Sequence, residues 1–265
     1  MATTESTTTF EPTGDVVLET RGLTRRFGEL VATDHLDLEV ERGEFRSVIG
    51  PNGAGKTTLF NLISGALAPS SGAVVFDGED VSELPPHERV RRGIGRSFQI
   101  TNVFGALSVR ENVRLSAQSV TGQRGLFADL FGDKDGFADV NDRTDAVLDR
   151  IGLADRGNER AGALSYGDRR TLEIGLVLAT DPELVLLDEP TAGMGAEETR
   201  ATMDLITDVL ADRTLLLIEH DIDLVMNVSD RITVLNRGAE LATGTPEMVA
   251  ANDQVQAAYL GGVEP

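Results

Sequence analysis

Cysteine and tryptophan are absent from the 265 residues, and lysine nearly so. Without a thiol there is no disulfide framework, no thiolate metal site and no cysteine nucleophile. No uninterrupted apolar run reaches the roughly 18 residues that a membrane-spanning helix needs. Met1 to Thr9 is polar, with one acid and neither a basic nor an apolar region, which argues against a secretory signal. The expectation is a soluble, intracellular protein. Positive charge is the scarcer sign, with 24 Lys and Arg against 44 Asp and Glu and a formal charge of −20. Only Lys56 and Lys134 are lysine; the other 22 cations are arginine. That balance lacks the clustered positive charge of a sequence-independent nucleic-acid binder, so no nucleic-acid partner is expected. Acid excess together with scarce lysine points instead to a cytoplasm of molar salt, where the Debye length shrinks to about 3 Å and self-repulsion is screened.

What is present is an alternation of β-like and helical stretches, long enough to bury a sizeable core. Residues 1 to 14 are low-complexity and polar and read as a frayed tail. Strands are expected at Val16–Thr20, Leu36–Val40, Phe45–Ile49, Ala73–Phe76, Leu184–Leu187, Thr214–Ile218 and Ile232–Leu235. The unbroken apolar runs Leu184–Leu187 and Leu215–Ile218 suit parallel strands buried on both faces, whereas the early strands alternate like an antiparallel sheet with one wet face. Between about Thr101 and Asp181 strand signals give way to helical ones, at Val109–Gln118, Val140–Ile151 and Tyr166–Thr180. Thr121–Asp139, rich in Gly, Asp and Phe, reads as a surface excursion. The expected fold class is α/β, with a helical subdomain over about 101–181 inserted into one domain spanning 15–262.

Gly50-Pro51-Asn52-Gly53-Ala54-Gly55-Lys56-Thr57-Thr58 matches G-x-x-x-x-G-K-[ST], follows the Phe45–Ile49 strand and opens a helical stretch, Lys56–Ser64. Glycines let backbone N–H groups curl around phosphate oxygens, and the helix N-terminus adds partial positive charge. Lys56 is placed to reach the β- and γ-phosphates and the Thr57 hydroxyl to ligate Mg²⁺. A lysine retained in an arginine-rich chain suggests that a planar guanidinium cannot replace it here. Glu183-Leu184-Val185-Leu186-Leu187-Asp188-Glu189-Pro190 carries an apolar strand into two acids, at the sheet edge where open α/β folds bind ligands. Asp188 is assigned to Mg²⁺, mostly through water, and Glu189 to the attacking water.

Leu164-Ser165-Tyr166-Gly167-Asp168 precedes a helical run and, taken alone, reads as a capping serine. Set between the phosphate loop and the Asp188-Glu189 strand, it makes the chain resemble the ATP-binding-cassette ATPases, a P-loop NTPase fold with a mixed sheet core, an antiparallel β subdomain and an inserted α-helical subdomain. The resemblance covers about residues 15 to 262. It implies that Ser165 and Gly167 contact the γ-phosphate held by a second ATPase subunit. It also implies that Gln99, in Arg96-Ser97-Phe98-Gln99, is a catalytic and Mg²⁺-linked glutamine, that His220, in Leu217-Ile218-Glu219-His220-Asp221, contacts the γ-phosphate, and that Phe27 stacks on adenine. Tyr166 and Asp168 stand where the family has Gly and Gln, and Gly195 where it usually has Asp or Asn.

Within the family the chain looks most like the ATPase subunits of branched-chain amino-acid importers. The residues that carry this are Phe27-Gly28-Glu29-Leu30-Val31-Ala32, Ser165-Tyr166-Gly167-Asp168, Ile218-Glu219-His220-Asp221 and the ending Ala258-Tyr259-Leu260-Gly261, with Gly125-Leu126-Phe127 resembling the larger of that system's two ATPases. ATPases of urea and short-chain amide importers share nearly all of these marks. Cassette ATPases of DNA repair or translation usually carry paired cassettes, long coiled coils or basic segments, which this chain does not display. The implied cofactors are ATP and Mg²⁺. The implied partners are a second ATPase subunit (a homo- or heterodimer), two membrane permeases and, indirectly, a solute-binding protein. The implied location is the cytoplasmic face of the cell membrane.

Overall fold

The computed structural model describes residues 14–97, 103–121 and 134–260. Residues 1–13 of the expected tail, Gln99, most of the 121–139 excursion including Gly125-Leu126-Phe127, and Gly261 lie outside the described residues. The described chain divides into two compact units, one formed by residues 14–63, 67–83 and 214–260, the other by 64–66 and 84–213.

The first unit opens with β1 (Val16–Phe27) and β2 (Leu30–Glu41), an antiparallel pair. Both are longer than the sequence expectation. The parts beyond it, Arg21–Phe27 and Leu30–His35, mix Arg, Thr, Asp and Gly with apolar residues, and register shifts near Leu23 break the period-two pattern. Alternating buried and exposed positions along Leu36–Val40 follow the expected half-wet sheet. Strand β3 (Phe45–Ile49) is buried throughout. It carries Arg46, whose guanidinium is paired with Glu44 and donates to Thr233 Oγ1 at 2.9 Å and to the Glu39 carbonyl at 3.0 Å. A buried charge is tolerable only when every donor has such a partner. Helix α1 (Lys56–Ile63) follows the phosphate loop, and β4 (Ser71–Phe76) and β5 (Glu79–Asp80) complete a four-stranded antiparallel sheet in the order β2-β1-β4-β5.

The second unit begins with α2 (Pro86–Arg91) and β6 (Ile94–Arg96), a strand too short to register in the sequence pattern. Among its described residues, no strand lies between 103 and 183. Helices α3 (Val109–Val120), α4 (Lys134–Arg150) and α5 (Tyr166–Leu178) fill that interval. Ser108 and Glu111 form a capping box that starts α3. Gly175 lets α5 approach α4, since a Cβ there would come within 2.5 Å of the Ile151 Cδ1 atom. Buried strand β7 (Leu184–Asp188) pairs in parallel with β6, and α6 (Ala196–Val209) closes the unit.

The chain then returns to the first unit through β8 (Thr214–Ile218), α7 (Ile222–Val228), β9 (Arg231–Asn236), β10 (Ala239–Gly244), α8 (Pro246–Ala250) and α9 (Asp253–Leu260). Strand β3 runs parallel between β8 and β9, as the unbroken apolar runs suggested, while β10 returns antiparallel to β9. Ile49, Val225, Ile232, Val234 and Val249 form a core beneath this sheet. The phosphate loop therefore leaves the C-terminal end of a buried central strand.

Candidate functional site

In the first unit the functional atoms are mostly backbone. Gly50 adopts φ 153° and Gly55 φ 103°, and a Cβ at either would meet a carbonyl oxygen, that of Leu235 at 2.3 Å or of Ala32 at 2.4 Å. The loop is thus wedged between β2 and the β9–β10 turn, with the Gly238 N–H donating to the Ala54 carbonyl at 3.0 Å. Lys56 is largely buried, and its ammonium donates to the carbonyls of Gly50 at 2.6 Å and Pro51 at 3.2 Å. The cation sits over the loop that a polyphosphate would fill, and a phosphate oxygen is a stronger acceptor than these carbonyls. Thr57, in the first turn of α1, is exposed, as are Asn52 and Gly53; Thr58 is half-buried.

His220 is exposed just beyond β8, its N–H donating to Glu219 Oε2 at 3.2 Å. Phe27 ends β1 with 43% of its surface exposed. The Arg25 guanidinium lies 4.6 Å from its ring centroid, a cation–π stack that the sequence reading did not anticipate. One ring face is thereby backed by a cation while exposed aromatic surface remains for a base.

In the second unit the functional atoms are side chains. Asp188 ends β7 almost fully buried, and Arg96 donates to its Oδ2 at 2.8 Å and to Ser64 Oγ at 3.0 Å. The other carboxylate oxygen, Oδ1, is buried without a hydrogen-bond partner among the described residues. Such an oxygen carries a standing desolvation cost, and a hydrated cation would satisfy it. The donor set therefore fits Mg²⁺ carried in by nucleotide phosphates, a cation that asks for only one or two protein ligands. Glu189 is half-buried with φ 48°, a left-handed backbone that a non-glycine residue adopts at a cost of about 1–2 kcal/mol. Its loop is held from α5, where Arg170 donates to the Pro190 carbonyl at 2.7 Å and pairs with Glu173 at 2.6 Å.

Ser165 caps α5, accepting from the Asp168 N–H at 3.1 Å. Its hydroxyl is also hydrogen-bonded to Asp168 Oδ2, and Arg156 donates to the same oxygen at 2.5 Å. The Ser165 bond first and the Arg156 guanidinium second hold the Asp168 carboxyl below the usual range. Exposed Tyr166 stands beside Gly167, where a Cβ would meet nothing. Gly195 caps α6 with no side chain to accept, and the space beside it is open. A partly apolar cavity of about 320 Å³ lies in this unit, lined by Phe104, Leu115, Leu176, Val177 and Glu173 among others. Arg96, Arg156 and Arg170, which contact Asp188, Asp168 and the Pro190 carbonyl, are residues that the sequence reading passed over. Position beside a motif was the only available signal, as in Arg96-Ser97-Phe98-Gln99.

The family profile described as "ABC transporter" matches residues 33–192, and one described as "Branched-chain amino acid ATP-binding cassette transporter" matches 240–265. The chain belongs to the ABC transporter family of ATP-binding cassettes. This ABC ATPase is 42% identical over 250 residues to the high-affinity branched-chain amino acid transport ATP-binding protein LivG of Escherichia coli K12, covering 92% of this chain and 98% of that one. It is 41% identical over the same length to the corresponding protein BraF of Pseudomonas aeruginosa, with the same coverage. Among solved structures it matches the ADP conformation of MJ1267, an ATP-binding cassette of an ABC transporter, with a TM-score of 0.78 and 28% identity over 93% of this chain and 99% of that one. The ABC ATPase fold inferred from the motifs is therefore the fold of this chain, and nucleotide is its ligand.

Proposed function

We propose that this ABC ATPase hydrolyses MgATP to drive an importer of branched-chain amino acids. The observation that carries the reading is the likeness to LivG over nearly the whole of both chains. The separate match of residues 240–265 to the branched-chain profile supports it.

In this reading Phe27 stacks on adenine, and the backbone N–H groups from Gly50 to Thr58 cradle the phosphates. Lys56 leaves the Gly50 and Pro51 carbonyls for the β- and γ-phosphate oxygens, exchanging neutral acceptors for anionic ones. Thr57, Asp188 and Gln99 are the residues that would hold Mg²⁺, which would supply charge neutralisation on the transferring phosphoryl group. Glu189, emerging from its left-handed turn, accepts the proton of the attacking water, while His220 and Lys56 stabilise the γ-phosphoryl oxygens. Ser165 and Gly167 face the γ-phosphate bound to a second ATPase subunit, so that ATP closes two cassettes head to tail.

The partners are two permeases and a solute-binding protein. No helix among the described residues is long and apolar enough to cross a membrane. In this reading the chain sits peripherally on the permeases at the cytoplasmic face. The cavity beside the exposed Phe104 and Leu115 is the surface assigned to them, within the helical part at about 101–181. The deciding experiment is uptake of labelled leucine, with urea and a short amide in parallel, in cells lacking this gene. Leucine uptake should be lost, and restored by the wild type but not by Glu189→Gln. Loss of urea or amide uptake alone would move the substrate and leave the ATPase in place.

A further inference from the structure

The Ser165 hydroxyl has one proton, and the resting structure directs it at Asp168. The two groups bond reciprocally, because the serine oxygen also accepts from the Asp168 N–H. A phosphate oxygen is purely an acceptor, so a γ-phosphate meeting Ser165 must take over that proton. Asp168 would then lose a hydrogen bond beside an incoming polyanion. A bare carboxylate in that position repels phosphate and competes with it for the serine proton. This conflict follows from having Asp at position 168; the neutral amide found elsewhere in the family would not create it.

Arg156 meets the conflict directly. It lies at the end of a short 3-10 turn (Ala154–Arg156), and its Nη1 donates to Asp168 Oδ2, the oxygen that Ser165 also addresses. The guanidinium is itself aimed by Glu159, which accepts from Nε at 3.2 Å and from Nη2 at 2.9 Å. Arg156 and Asp168 are both about two-thirds buried, so their pairing is less screened than that of a fully exposed pair. When Ser165 turns to a phosphate, Asp168 keeps its cationic partner and the carboxylate stays compensated.

We propose that Arg156 and Asp168 are positioning residues that set the readiness of Ser165 to receive a γ-phosphate. Arg156 allows the serine proton to leave Asp168, and Asp168 keeps the hydroxyl oriented until it does. The inference rests on the reading that Ser165 faces the nucleotide of a second cassette. It adds a requirement that the serine alone does not impose, namely a cation that compensates the carboxylate beside the serine.

The test uses the full chain carrying Glu189→Gln, which should hold ATP without turning it over, and measures MgATP-driven association by sedimentation. Adding Arg156→Ala should raise the protein concentration for half-association by about tenfold or more, the effect of losing one charge-assisted hydrogen bond. Binding of a fluorescent ATP analogue, measured below the association range, should not change. Adding Asp168→Asn to Arg156→Ala should bring association back to within about threefold of the parent, since the carboxylate that bonds to Ser165 is then neutral. Arg156→Gln, which preserves the stem and a donor, serves if the alanine variant melts early. Unchanged association on losing Arg156 would overturn the inference, and so would a double variant as weak as the single one, which would mark a merely structural bridge. Absence of ATP-driven association in the Glu189→Gln parent would overturn the head-to-tail reading itself, before any change at Arg156.

Discussion

The phosphate-loop unit and the unit carrying Asp188, Glu189 and Ser165 hold their functional groups by different means. In the first, Gly50 and Gly55 sit against the carbonyls of Leu235 and Ala32, and the loop is shaped by main-chain contacts that leave no room for a side chain. In the second, three arginines fix what matters: Arg96 the Asp188 carboxylate, Arg156 the carboxylate that addresses Ser165, and Arg170 the carbonyl after Glu189. Backbone packing is short-ranged and all-or-none, whereas an arginine reaches several acceptors and loses them one at a time. The first unit should therefore fail abruptly on substitution, and the second should degrade by steps.

The largest effect is expected at Gly55. Alanine there would put a methyl within 2.4 Å of the Ala32 carbonyl, on a backbone at φ 103° that an L side chain rarely adopts. We expect Gly55→Ala to weaken ATP binding more than about 100-fold, because either the loop or β2 must move. Equilibrium binding of a fluorescent ATP analogue checks this. Binding within about threefold of wild type would mean that the loop adapts, and the contrast between the units would collapse.

An intermediate effect is expected at Arg170. Arg170→Met keeps the aliphatic stem but removes the donor to the Pro190 carbonyl and the pair with Glu173. The cost of a hydrogen bond from a charged donor, about 1.5–3 kcal/mol, would fall on the turn that presents Glu189 in its left-handed conformation. Steady-state kinetics should show kcat lowered about tenfold with KM for ATP unchanged. A rise in KM at constant kcat would place the role of Arg170 in nucleotide binding and blur the division between the units.

The same contrast explains which features are legible in the amino-acid sequence. The shape of the phosphate loop is legible because it is written in glycine spacing. Strands β3, β7 and β8 are legible because they are buried on every face, and their observed bounds differ from expectation by one residue at most. Strand β6 escapes the pattern because three residues carry no periodicity, and the outer halves of β1 and β2 escape it because polar residues on a wet face mimic a loop. The arginines are illegible for another reason. They are 22 of the 24 cations, so none stands out, and the acceptors of Arg96, Arg170 and Arg156 lie 92, 20 and 12 positions away. Only the fold brings them together, which is why the sequence names candidate reacting groups and not the arginines that touch them.

The smallest effect sharpens the contrast from the side of the first unit, where side-chain charge is incidental to the site. Asp230 accepts from the Phe45 N–H at 2.7 Å at the start of β3, and burial first, then the neighbouring Glu44 charge, raise its carboxyl above the usual range. A carboxyl raised on folding binds its proton more tightly in the native chain, so its contribution is full below the unfolded value, near 3.9, and is lost as pH climbs through the raised native value. Asp230→Asn retains an acceptor for Phe45 and removes that loss. The variant should melt about 1 °C higher than wild type near neutral pH and no higher at acid pH below the carboxylate range. A gain that persists unchanged into acid would show that the benefit comes from packing or the amide's extra donors, and a loss at neutral pH would show that the Asp230 charge is structurally required. That second outcome would mean that side-chain charge matters more to the phosphate-loop strand than its glycine-built loop suggests.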